Sequence, residues 1–166
     1  QWMLLCEPHF GPTAPSWDML PHLFGYIERC CRALSQGKPS AETVVLYDIR
    51  GIWAGGADRE SAVAAHYGVS KALDRLNCDY DFTDDDSIAA AEVVNGGGLK
   101  IGAMTYKTVV LPTWKWMLPA AKAKLDEFER AGGVVVRGND LSRVPRTLMV
   151  KGERPTDIRV MKRVDG

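Results

Sequence analysis

Five aspartates fall between positions 79 and 86, at Asp79, Asp81, Asp84, Asp85 and Asp86, and a cluster this dense is the first place to look for a divalent cation or a phosphate acceptor. An acceptor pocket of the receiver type also needs a pair of acids after its first strand and an aspartate after a later one. This chain offers Asp48 alone after the first and Pro112-Thr113 after the later. Helix capping and a solvated strand face account for the acids at lower cost, and no metal ligands are assigned. Nucleophilic catalysis would need a Ser or Cys on a sharp strand-to-helix turn with a histidine in reach. No G-x-[SC]-x-G occurs, and of His9, His22 and His66 the last two fall inside expected helices. The loop Gly51-x-x-x-Gly55-Gly56 joins a strand to a helix, where backbone amides can hold an anion and Trp53 can stack on a flavin or a sugar ring. It matches neither G-x-G-x-x-G nor G-x-x-x-x-G-K-[ST], so it reads first as a connection. Gly96-Gly97-Gly98 precedes a strand and reads as a turn.

The elements that must position these residues are clearest between Tyr106 and Gly138. Thr108-Val109-Val110-Leu111 is an apolar run that stops at Pro112, as a strand buried on both faces should. Pro119 to Arg130 repeats Ala121, Leu125 and Phe128 at helical spacing, with charged residues on the other side. Gly132-Gly133 ends that helix and Val134-Val135-Val136 opens the next strand, which completes a βαβ crossover. The loop at the carboxyl end of its first strand, where such sheets place chemistry, reads Pro112-Thr113-Trp114-Lys115-Trp116 and holds no Cys, Ser or His.

Upstream, Ser16 is expected to cap a helix to about Gln36 with Trp17, Leu20, Phe24, Ile27, Cys31 and Leu34 on its buried stripe. Thr43 to Tyr47 is the first sheet strand, Asp48 to Ala57 a long loop, and a helix follows from Asp58 to about Leu76. Cys78, Tyr80 and Phe82 alternate with Asp79 and Asp81 as a shorter strand; Thr83 and Asp86 suggest a capped helix to about Val94; Leu99 to Ile101 is a short strand. Ile158 to Val164 reads as a strand, and the turn signal Asp165-Gly166 has no second strand after it. That ending, with a start at Gln1, leads us to expect a piece of a larger protein. The order is β-α-β-α-(β)-β-α-β, and the class is α/β.

With 46% hydrophobic and 25% charged residues, the chain is of the globular class. The 21 basic and 21 acidic residues cancel, so no global field favours nucleic acid or an anionic membrane. No apolar run approaches the roughly 20 residues of a bilayer span. Cys6, Cys30, Cys31 and Cys78 lack C-x-x-C spacing and read as buried free thiols.

Three stretches, Tyr26-Ile27-Glu28-Arg29, Leu34-Ser35-Gln36-Gly37-Lys38 and Val44-Val45-Leu46-Tyr47, resemble a junction in large bacterial glycoside hydrolases. There the last helix of a (β/α)₈ barrel runs into a flavodoxin-like domain of the class I glutamine-amidotransferase type. The resemblance is closest to α-L-rhamnosidase-type enzymes and to the trimerisation domain of some β-galactosidases. Leu73 to Asp86, Gly98 to Gly102, Tyr106 to Pro112 and Phe128 to Val136 are similar to the rest of that domain, and Ile158 to Gly166 to the strand opening the next. The resemblance implies a flavodoxin-like three-layer sandwich with a mostly parallel sheet at 41–140. It would be preceded at 1–37 by the barrel's terminal strand, loop and helix, and followed at 141–166 by a linker and the first strand of a β domain. It implies a non-catalytic accessory domain without cofactor or metal. The catalytic carboxylates would lie on earlier barrel strands, and the partners would be the rest of the hydrolase, carbohydrate and other copies of the subunit, but no nucleic acid or membrane. Glu7 and His9, past a barrel strand's carboxyl end, and Trp53 and Trp114, on loops at the sheet's carboxyl edge, would be the substrate-binding candidates, although for all four packing or loop support is the readier reading. The alternatives are a stand-alone flavodoxin-like module that binds phosphate or flavin at the Asp48–Ala57 loop, and an amidotransferase-like hydrolase with an unrecognised nucleophile.

Overall fold

The structure, a computed structural model, describes residues 11–148 and 160–164. The chain divides into two compact units, residues 1–38 with 165–166 and residues 39–164. The first contains a 3₁₀ turn, Trp17–Met19, and the helix α1 (Leu20–Leu34). The helix starts later than expected. Ser16 makes no capping bond, and Pro21, which has no N–H to give, sits in the first α turn instead. The expected buried stripe is corrected as well: Leu20 is buried, but Trp17, Phe24, Ile27, Cys31 and Leu34 are exposed. The thiols divide in the same way. Cys78 is buried and Cys30 partly so, whereas Cys31, expected to be buried, is exposed; Cys6 lies outside the described residues.

In the second unit the chain runs through β1 (Thr43–Leu46), α2 (Ile49–Ala54), α3 (Gly56–Arg75), β2 (Tyr80–Thr83), α4 (Asp85–Ala90) and β3 (Glu92–Val94). It continues through β4 (Gly98–Ile101), β5 (Met104–Tyr106), β6 (Thr108–Leu111), α5 (Pro119–Arg130) and β7 (Val134–Arg137). The molecule is a mixed α/β protein built on a four-stranded sheet of order β2-β1-β6-β7, with all neighbours parallel. Both central strands read Thr-Val-Val-Leu and are buried at every position, because helices cover both faces. On one face Val44, Leu46, Val109 and Val135 pack with Ile88 of α4 and with Leu125 and Phe128 of α5. On the other, Val45, Val110 and Val136 pack with Val69 and Leu73 of α3.

Two expectations are corrected. The Asp48–Ala57 stretch is not a loop but α2 and the start of α3. The helix expected to reach Val94 ends at Ala90. Glu92-Val93-Val94 instead pairs antiparallel with β4, which pairs with β5 in a small meander. β-branched residues favour that extended form, and the glycine turn after Asn95 returns the chain on itself. Gly97 has φ of +73°, and a Cβ there would lie 2.7 Å from the carbonyl carbon of Gly132. Gly97→Ala should therefore cost about 2 kcal/mol, from strain together with a backbone clash, read as a lower urea midpoint. The Tyr106 hydroxyl ties the meander to β2 by donating to Asp81 Oδ2 at 2.9 Å, and burial followed by that carboxylate pushes its pKa up.

His66 of α3 is wedged between Tyr47 and Phe82, with ring centres 5.0 and 4.9 Å away, and its Nδ1 is buried without a hydrogen-bond partner. Burial lowers its pKa below the ordinary histidine value. The unfolded chain therefore takes up this proton first as the pH falls. Stability present above about pH 6.5 should be lost as the pH drops through the folded-state value. Urea midpoints measured from pH 7.5 to 5 should fall less steeply in His66→Phe than in the parent chain.

Candidate functional site

In a parallel sheet the ligand crevice lies outside the carboxyl ends of the strands, where the strand order reverses. Here the chain leaves β1 for β2 on one side and returns to β6 on the other, so the reversal lies between β1 and β6. The residues just past those strand ends are Tyr47-Asp48 and Pro112-Thr113.

Asp48 is buried at the mouth of this crevice and both its oxygens are engaged. Oδ1 accepts from the Gly51 amide at 2.9 Å, which caps α2, and Oδ2 accepts from Thr113 Oγ1 at 2.6 Å. Position 51 must be glycine for this arrangement, since a Cβ would sit 2.5 Å from Asp48 Oδ2. The Gly51 amide, one of those that could have held an anion, is thus taken by a carboxylate of the chain itself.

The neighbouring acids are engaged in the same way. Asp85, in the first turn of α4, is buried; its Oδ2 accepts from Arg50 Nε at 2.8 Å and from the Leu118 amide at 2.9 Å, just before α5. Arg50 also reaches Asp86 at 2.8 Å, and the hydrogen bond that it donates to Asp85 is the main reason its pKa is raised. Asp84 caps α4 through the Ser87 amide. The expected capping box of Thr83 and Asp86 does not form: Asp84 is the cap, while Asp85 and Asp86 serve contacts that link α2, α4 and α5.

Across the crevice, Asp58 in the first turn of α3 receives Lys115 Nζ on both oxygens at 2.9 Å and Trp116 Nε1 at 3.0 Å. The lysine hydrogen bond, then the indole, hold its pKa below the usual carboxylate range. Lys115 Nζ also lies 5.2 Å from the centre of the Trp116 ring. The β6–α5 loop is therefore laced to α2, α3 and α4 by side-chain bonds, and the acids that could act as base, nucleophile or ligand are hydrogen-bonded within the fold. Among the described residues no group of three or more His, Cys, Asp or Glu is placed to hold a metal ion. No helix among them is long and apolar enough to cross a membrane.

Of the sequence candidates, Glu7 and His9 lie outside the described residues. Trp53 stands on α2 and is 72% exposed. Trp114 is 38% exposed and borders a hollow of about 270 Å³ between α5 and the carboxyl ends of β6 and β7. A smaller hollow of about 80 Å³ lies at the opposite, amino end of the sheet. There Lys162 bridges Asp79 and Glu42 through its backbone amide at 2.6 Å and its Nζ at 2.7 Å. Sequence reasoning missed the pairing of Asp48 with Thr113. The available signal was that each directly follows a strand, but it becomes informative only once the strand order is known.

No family model, curated protein or solved structure matches this chain. The fold and the rim together define a class, an α/β domain whose switch-point acids are hydrogen-bonded within the chain.

Proposed function

We propose that this chain is a non-catalytic, flavodoxin-like accessory domain of a carbohydrate-active glycoside hydrolase of the α-L-rhamnosidase or β-galactosidase type. In this reading residues 1–37 end a barrel, residues 41–140 form the accessory domain, and residues 141–166 lead to a β domain. The observation that carries it is the Asp48–Thr113 bond at the switch point: the place where such sheets bind ligand is taken up by an internal contact. The exposed Leu23, Ile27 and Leu34 of α1 fit a helix that a neighbouring domain covers.

The test is to assay the purified chain against chromogenic glycosides, activated esters and anilides, alongside Asp48→Asn and Thr113→Val. No turnover above buffer is expected from any of the three. Turnover that either substitution abolishes while the chain stays folded would replace this reading with an enzyme whose site is the crevice.

A further inference from the structure

The hollow beside Trp114 is separate from the laced crevice, and its lining has a distinct chemistry. Its apolar floor is Leu111, Met117 and Leu125, from the end of β6, the following loop and α5. One wall is the half-exposed Trp114 indole. The charged groups around it are Lys122 and Asp126, one turn apart on α5, and Arg137 at the end of β7.

Arg137 is already committed. Its Nη1 and Nη2 donate to the two carboxylate oxygens of Glu129 at 3.0 and 2.8 Å, and that pair holds the Glu129 pKa down. Lys122 and Asp126 have no side-chain hydrogen bond or ion pair among the described residues. Asp126 also stands in the field of Arg137, whose pKa it helps to raise, so the hollow presents opposite charges in balance over an apolar floor, with the Lys122 cation and the Asp126 anion side by side. A charged ligand would be attracted by one and repelled by the other. A neutral ring with an apolar face and hydrogen-bonding groups around its edge satisfies both.

We propose that this hollow binds a neutral saccharide ring, with its C–H face on Trp114 and its hydroxyls donating to Asp126 and accepting from Lys122. The choice of a saccharide over other neutral rings rests on the accessory-domain reading above. The neutrality of the ligand does not.

Saturation-transfer NMR and indole fluorescence on the full chain, with methyl hexopyranosides, the corresponding uronates and hexosamines, and uridine as probes, test the proposal. A site of this size should bind a neutral hexopyranoside with Kd on the order of 1 mM. Uronate and hexosamine should each bind several-fold more weakly. Trp114→Ala, checked as folded by circular dichroism, should lose the signal, Trp114→Phe should retain most of it, and Trp53→Ala should be unchanged. Tighter binding of a charged sugar or of uridine would overturn the inference, as would no neutral-sugar signal at tenfold excess over that Kd. A chain that binds no sugar and hydrolyses nothing would lose this inference alone. Turnover in the crevice would instead remove the accessory-domain reading, whatever the hollow binds.

Discussion

Phe128→Ala should lower the unfolding free energy by about 3–5 kcal/mol, the range for removing a large buried ring that its surroundings cannot collapse to replace. Phe128 is fully buried where α5 meets the sheet, in the same cluster as Leu99, Leu125 and Val135. Its carbonyl accepts from the Gly133 amide at 2.9 Å as the helix turns into β7, and a Cβ at position 133 would strike the ring itself. Neither wall of the cavity is free to close. One is sheet backbone held by its ladder to β6, and the other is a turn that already presses on the ring. Against a typical domain stability of about 5–15 kcal/mol this is a large fraction, so the urea midpoint should fall sharply with little change in slope. Phe128→Leu should recover more than half of the loss. A loss under about 1 kcal/mol for the alanine variant would mean that α5 does not pack through this residue.

The same helix shows what the sequence could tell and why it stopped. α5 was legible because twelve residues repeat one apolar spacing and end at glycine, so its period carries the assignment unaided. β1 and β6 were legible because a strand covered on both faces needs an unbroken apolar run. α2 was not, since its six residues include Gly51 and are bounded by Gly55, and what holds them helical is the Asp48 cap, a bond that no periodicity encodes. The Glu92–Val94 strand was hidden behind Ala89-Ala90-Ala91, which extends a helical pattern on local propensity, while the pairing that wins comes from residues further along the chain. The site was less legible still. Asp48 and Thr113 are 65 positions apart, and Asp58 and Lys115 are 57 apart, so each pair becomes visible only when β1 and β6 are known to be neighbours. Trp114 could be assigned to the carboxyl rim from its place after a strand. The charge balance of its hollow could not, because Arg137 arrives from a different strand already paired with Glu129.

The largest rim effect is expected from Asp85→Ala, at about 3 kcal/mol, because the substitution removes a buried carboxylate that accepts two hydrogen bonds on one oxygen. One of those donors, the Leu118 amide at the entry to α5, has no route to a replacement side chain once Asp85 is gone, whereas the Arg50 guanidinium is 30% exposed and can turn to water and to Asp86. The backbone donor should therefore account for most of the loss. Asp85→Asn, which keeps an acceptor in place but no charge, should recover a good part of it. Arg50→Met should cost less than Asp85→Ala, and the double variant should fall well short of the sum, since the two changes break one shared contact. Salt supplies a further check. The buried Asp85 contact should change little between low and high ionic strength, while the contribution of the exposed Lys115–Asp58 pair should shrink as salt screens it. If Asp85→Ala proved neutral, or if its effect were strictly additive with Arg50→Met, then Asp85 would not join α2 to α5. One of the contacts lacing the rim would then be lost, and with it part of the case that the acids around the crevice serve the fold.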